Sequence, residues 1–233
     1  MFDFDFVIQA LPDLLKATGV TIVATVLGMI IAATVGLALA IARRSKAKWL
    51  SWPATIFAEF VRSTPLLVQL FFLFYVLPNY GVTLPKFATG VIALGLHYST
   101  YTAEVYRSGL DGVSKGQWEA GMALGMPMMM RMQLVVVPQA IPPIIPALGN
   151  YLIAMFKETP LLSAIAVVEL MQTAKILGSQ SFNYLELYTM VGVIFLLLSL
   201  ISAAGIHWVE HRLSLNYRYA RVKRSITTLE IAS

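Results

Sequence analysis

Residues 115–140 read KGQWEAGMALGMPMMMRMQLVVVPQA, a charged, glycine-punctuated stretch set between hydrophobic runs long enough to cross a bilayer. A loop of this kind needs a partner at the membrane face. Residues 117–124 are good helix formers, Gly125 suits a left-handed C-terminal cap, and Pro127 suits the first turn of a following helix. The spacing predicts two short helices meeting at a turn, a compact knob.

Outward from this loop, composition sets the class. Hydrophobic residues make up 58% of the 233-residue chain and charged residues 12%, about half the charged share of a soluble domain. The expectation is an all-α integral membrane protein forming one polytopic domain over residues 1–233, with a cytoplasmic loop at 110–137 and a C-terminal tail at 213–233. Cysteine is absent, which excludes a disulfide framework, thiol catalysis and a Cys-based metal site. The net charge of +5 could suggest nucleic acid, but the basic residues cluster beside apolar runs, and membrane topology explains them better.

A span needs about 20 mostly apolar residues at roughly 1.5 Å per residue. Five stretches qualify, at 18–42, 55–78, 87–108, 138–157 and 187–210. The chain opens with alternating Phe and Asp, and Asp13 follows; with no basic leader region, a cleaved signal peptide is not expected. Arg43, Arg44, Lys46 and Lys48 follow the first span, Arg107, Lys115 and Arg131 surround the knob, and Arg212, Arg218, Arg221, Lys223 and Arg224 follow the last. The alternate loops carry little more than Lys16, Lys86 and Lys175. The positive-inside rule therefore puts the N-terminus outside, and the knob and C-terminus in the cytoplasm.

Polar residues inside the spans point to a pathway or to internal pairing, because in lipid they must face protein or water. Gly28, Ala32, Gly36 and Ala40 form a small-residue stripe that admits a close helix from the same chain or from a second subunit. Glu59 and Arg62, three apart, are spaced to pair, and Pro65 removes a helical hydrogen bond. His97 falls near the bilayer midplane and is followed by Tyr98, Ser99, Thr100, Tyr101, Glu104 and Arg107. Glu104 and Arg107 are spaced either for an internal pair or for a pathway role. Pro138, Pro142, Pro143 and Pro146 are too many for a regular buried helix and predict a broken one, bordering a cavity or able to move. Asn150 and Glu158 follow; simple helix counting puts Glu158 near the outer interface, and a kink or re-entrant course would bring it deeper.

Enzyme readings fare worse. His207, Glu210 and His211 match an H-x-x-E-H zinc-peptidase spacing, but no third ligand is indicated and interfacial histidines are the ordinary explanation. No G-x-x-x-x-G-K-[ST] loop occurs, so the chain is not expected to hydrolyse ATP by itself.

The knob resembles the EAA loop of ABC-importer permeases, whose pattern is Glu-Ala-Ala, three residues, Gly, nine residues, then Ile-x-Leu-Pro. Glu119, Ala120, Gly125 and Pro138 match in register, Gly121 stands for the second Ala, and Val135 and Val137 stand for Ile and Leu. Residues 62–67, 100–109 and 157–170 also resemble segments of the polar amino-acid ABC transporter permease family, the type that carries His, Glu, Gln, Arg or opines. Ser63, Thr100, Ser108, Glu158 and Pro160 depart from its pattern. The resemblance implies a multi-pass permease core of the type I importer kind in a bacterial inner membrane. Its implied partners are a second permease subunit, alike or different, two cytoplasmic ATPase subunits and an extracytoplasmic solute-binding protein. ATP and Mg would sit on the ATPase, with no cofactor in this chain. Glu119, Ala120, Gly121 and Gly125 would transmit the ATPase motion. Arg62, His97, Tyr101, Glu104, Asn150 and Glu158 would line the path of a polar amino acid or related zwitterion. A compatible solute such as ectoine is the alternative substrate, and an ion-coupled carrier or channel is the alternative of another class.

Overall fold

The computed structural model describes the backbone of residues 2–231 and the side chains of residues 2–212; the tail expected at 213–233 lies outside the described side chains. The described residues are predominantly helical. Helix α1 spans Phe4–Arg43, α2 Lys48–Arg62, α3 Leu66–Phe71, α4 Lys86–Asp111, α5 Lys115–Ala123, α6 Met128–Arg131, α7 Val137–Glu158, α8 Leu170–Ser181 and α9 Tyr184–Ile231. Wider π-type turns at Phe72–Val76 and Met132–Val136 extend α3 and precede α7, and tighter turns follow at Leu77–Tyr80 and Thr159–Ile165.

Among the described residues, three stretches are long and apolar enough to cross a membrane, Phe4–Arg43, Met128–Ile165 and Tyr184–Arg212, and the pair Lys48–Arg62 with Leu66–Tyr80 makes a fourth if counted as one broken span. The first helix starts well before the expected residue 18, because Asp3 caps it through the Phe6 N–H at 3.0 Å. The stretch expected as a span at 55–78 is not straight. It bends by 107° at residues 63–65, where Pro65 cannot donate to the Val61 carbonyl. The remaining stretch, 87–108, lies within the 26-residue α4, long enough to cross but with a polar face.

The broken helix expected from the prolines is also corrected. Helix α7 runs through Pro142, Pro143 and Pro146 without interruption, and the irregularity sits upstream. In both π segments the residue before a proline donates to the carbonyl five back, Leu77 to Phe72 before Pro78 and Val137 to Met132 before Pro138. The side-chain amide just after each proline then satisfies a carbonyl four back, Asn79 Nδ2 to Tyr75 O at 3.3 Å and Gln139 Nε2 to Val135 O at 2.8 Å. A wider turn keeps the proline ring clear of the carbonyl it would otherwise strike.

The chain divides into two compact units. In the first, residues 1–104 with 151–200, the small-residue stripe of α1 packs within the same chain. A Cβ on Gly36 would overlap Thr102 Oγ1, and one on Gly28 would lie 2.9 Å from Met155 Sδ. The Thr102 hydroxyl donates to Ala32 O at 2.6 Å, so the α1 backbone and α4 meet directly. Ala24, Ala32, Leu70, Leu94, Met155, Leu162 and Ile165 form the core there, and Leu14, Leu170, Ala174 and Leu187 form a second cluster. Ile30 and Leu197 are exposed, as lipid-facing positions require. In the second unit, residues 105–150 with 201–233, Val113, Val136, Ala140 and Ile144 pack together beside Trp118 and Met132.

Candidate functional site

The knob of the second unit forms as its residues dictate. Helix α5 ends at Ala123 with Leu124 as its C-cap, and Gly125 turns back with φ +69°, a conformation other residues adopt only at a steric penalty. The Gly125 N–H donates to Met122 O at 2.9 Å and the Met126 N–H to Gly121 O at 3.0 Å, the paired bonds of a Schellman cap. Pro127 stands immediately before α6 as its N-cap, one position earlier than expected.

Arg131, which the sequence marks only as a topological charge, holds the knob shut. It is 9% exposed; its Nη1 donates to Trp118 O at 3.4 Å, and its guanidinium stands 5.8 Å from the Trp118 ring centre. Its Cδ would lie 2.9 Å from a Cβ on Gly121. Glycine thus stands at the second alanine position of the Glu-Ala-Ala pattern because an arginine stem occupies the methyl's place. With Gly121 and Arg131 inside, Glu119, Ala120, Met122, Leu124, Met128 and Met129 are left outside, an apolar and methionine-rich surface carrying one carboxylate.

In the first unit the expected pathway residues fall into two groups. Glu104 accepts from Arg43 at 2.6 Å and from Arg62 at 3.4 Å, and Arg62 also binds Glu59 at 2.5 Å, with Arg43 3.8 Å from Glu59. The Glu59–Arg62 spacing therefore does make a pair, and it closes into a four-membered ring through Glu104 and Arg43. Arg43 lies 61 residues from Glu104, so only its charge, not its partner, was readable. Arg107, in the second unit, pairs with Asp111 at 3.4 Å.

The second group surrounds His97, which is buried. Gln69 Nε2 donates to Val61 O at 2.7 Å, the carbonyl that Pro65 leaves without its α-helical partner, and to Thr64 O at 3.0 Å. Its Oε1 is therefore the atom 3.2 Å from His97 Nδ1, which fixes Nδ1 as the protonated nitrogen. Tyr98 and Tyr101 pack against the imidazole with ring centres 5.6 and 5.3 Å away, and Tyr151 packs on both tyrosines at 6.1 and 5.6 Å. Tyr98 faces the Glu158 carboxylate, whose Oε2 is buried without a hydrogen-bond partner. Glu158 thus lies against the aromatic group. Asn150 belongs to the other unit, and its side chain is exposed. Gln69 and Tyr151 carried no sequence signal, since neither falls in a motif.

Near the end of the described side chains, His207 Nδ1 lies 3.5 Å from Glu210 Oε2, both exposed. Among the described residues no three His, Cys, Asp or Glu side chains are grouped to hold a metal.

Residues 24–215 match the family described as binding-protein-dependent transport system inner membrane component. The chain is 46% identical to the probable amino-acid ABC transporter permease protein y4tG of Sinorhizobium fredii, covering 88% of this chain and 89% of the relative. It is 38% identical to the L-cystine transport system permease protein TcyB of Bacillus subtilis, over 83% of each. Among solved structures, an amino acid ABC transporter crystallised with histidines superposes with a TM-score of 0.87 at 35% identity, over 91% of this chain and 99% of that one. The MetNI methionine ABC transporter in an inward-facing form shares the fold, with a TM-score of 0.68 at 19% identity, over 88% of this chain and 96% of that one. The chain belongs to the binding-protein-dependent transport system inner membrane component family, with the type I importer permease fold and an inner-membrane location.

Proposed function

We propose that this chain is the permease subunit of a bacterial ABC importer that moves a polar amino acid or related zwitterion into the cytoplasm, powered by a separate ATPase. The carboxylate of Glu158 carries the substrate reading: it meets the Tyr98 hydroxyl, but its Oε2 is buried without a hydrogen-bond partner, which an ammonium group would supply. The names of the relatives support the same substrate class. His97 and Tyr101 would line the path beside it. Arg62 and Glu104 bind one another and would act on the path through that ring.

Membership of the family supports the wider assembly. Five crossings, with the N-terminus outside, would place Glu119, Ala120, Gly121 and Gly125 against a cytoplasmic ATPase holding ATP and Mg. Two such permeases, two ATPases and a solute-binding protein outside would complete the importer. ATPase closure would push the knobs and shift the helices between outward- and inward-open states.

Glu158→Gln removes the charge at nearly constant shape. Uptake of an ammonium-bearing solute, assayed over a range of concentrations, is expected to weaken about tenfold or more, the loss of one charge-assisted hydrogen bond, while the ATPase still co-purifies. Unchanged affinity and rate would remove Glu158 from substrate recognition.

A further inference from the structure

Helix α2 presents two faces of opposite character. Ala58 and Val61 are buried, and Ser51, Ala54 and Thr55 on the same side are half-buried, the side that packs against the protein. On the other side Trp49, Trp52, Ile56 and Phe60 recur at spacings of three and four and are between 63% and 79% exposed. Such a row on a helix forms one apolar face. Lys46 and Lys48, both exposed, stand at the end of the helix that carries the tryptophans.

The chain's course says what covers that face. Helix α1 is a membrane-spanning stretch that ends at Arg43, and α2 begins at Lys48, so α2 starts where the chain has just left the bilayer. It then meets the apolar stretch Leu66–Tyr80 at 107°, so the two cannot both run along the membrane normal, and the one with the tryptophan face and flanking lysines is suited to the membrane plane. An apolar face with tryptophan at the interface and lysines at its end matches a helix that lies in the headgroup region of a bilayer containing anionic lipid.

We infer that α2 is an in-plane membrane anchor whose Trp49, Trp52, Ile56 and Phe60 face enters the headgroup–acyl boundary while Lys46 and Lys48 hold anionic phospholipid headgroups. The anchor has a mechanical role. Its last residue is Arg62, which binds Glu59 and Glu104, so lipid attachment holds one side of the ion-pair ring at a fixed depth while α3 departs from the bend. This assignment is independent of which solute is carried.

The absence of native cysteine allows a direct test on the assembled transporter. Single cysteines at Trp52 and Ile56 on the outer face and at Ala54 on the inner face are labelled with a fluorophore, and the complex is reconstituted into nanodiscs. Lipids brominated near the headgroup end of the acyl chain are expected to quench positions 52 and 56 several-fold more than position 54. At equal bromine content, phosphatidylglycerol should quench more than phosphatidylcholine, and Lys46→Gln with Lys48→Gln should remove that preference. Equal quenching by the two brominated lipids would overturn the anionic headgroup assignment. Protection of positions 52 and 56 from both lipids, with disulfide crosslinking to a second permease subunit, would show a protein interface and overturn the anchor altogether.

Discussion

The stem of Arg131 occupies the space that a methyl group on Gly121 would need. A Cβ at Gly121 would lie 2.9 Å from Arg131 Cδ and 3.0 Å from its Cγ, inside ordinary contact distance.

Two effects of opposite sign then compete in Gly121→Ala. Alanine is favoured over glycine in a helix by about 1 kcal/mol, whereas overpacking a filled site costs roughly 1–3 kcal/mol. With Arg131 in place the second effect wins, and the variant is expected to lower thermal stability and transport. With Arg131→Ala in the background the clash is gone, and the same change should become neutral or stabilising by up to about 1 kcal/mol. A double-mutant cycle on the purified complex, read by thermal unfolding and reconstituted uptake, checks this; additive effects would mean the two residues do not compete for space.

Glu104 is the shared acceptor of Arg43 and Arg62, so its removal should matter more than removal of Glu59, which is half exposed. Glu104→Gln leaves Arg43, itself 14% exposed, with Glu59 at 3.8 Å, and an undercompensated, largely buried charge is destabilising. The thermal midpoint should fall further for Glu104→Gln than for Glu59→Gln, and Arg43→Gln combined with Glu104→Gln should recover part of the loss. A ranking reversed from this would assign the ring's strength to the exposed pair.

Charge bias predicts sidedness. Cysteines at Lys46 and Gln117 are expected to react only with reagents that reach the cytoplasm, and one at Asn79 with reagents applied outside. Labelling of Gln117 from outside sealed cells would reverse the proposed orientation and remove the knob from the ATPase.

Glu169 gives a pH dependence. It lies between the spans, fully buried, and caps α8 by accepting from the Met171 N–H at 3.0 Å and the Gln172 N–H at 2.8 Å. Burial pushes its carboxyl above the usual carboxylate range, and the two amide donors oppose this only in part. A folded-state pKa raised above the unfolded one favours the protonated, folded form. The stabilising contribution is full below the unfolded value and is lost as pH rises through the folded one. Thermal unfolding of the detergent-purified complex should therefore shift to lower temperature as pH rises through that window, and Glu169→Gln should flatten the decline. An unchanged slope in that variant would place the dependence elsewhere.

The knob is legible in the sequence because every determinant is local: a helix-forming run, a glycine where φ must be positive, a proline at the next start. The apolar runs likewise announce the membrane. Long-range pairing is not legible, since nothing near Arg43 names Glu104 and nothing near Gln69 names His97. The prolines mislead for a related reason. Each removes one backbone donor, which predicts a break at the proline itself. Pro65 does mark a bend, but α7 runs on through Pro142, Pro143 and Pro146, and at Pro78 and Pro138 the chain absorbs the obstruction a turn earlier, at residues 72–76 and 132–136. That response depends on wider-turn hydrogen bonds and on the neighbouring Asn79 and Gln139 amides, not on the proline alone.

The turn at Met132–Val136 also sets the rotational phase of α7. Arg131, Val136, Ala140 and Ile144 are all buried; the last three keep the four-residue step of an α-helix, but the step from 131 to 136 is five. In an unbroken α-helix each residue advances about 100° around the axis, so five residues wound as ordinary α turns would put Arg131 about 140° from the apolar row of α7; the wider turn brings the two back onto one face. The additional residue and the wider turn therefore compensate one another, and either one alone would change the phase. Rewinding it as plain α-helix at unchanged length would leave every side chain chemically intact and still swing the knob's inner arginine away from the line of the helix core.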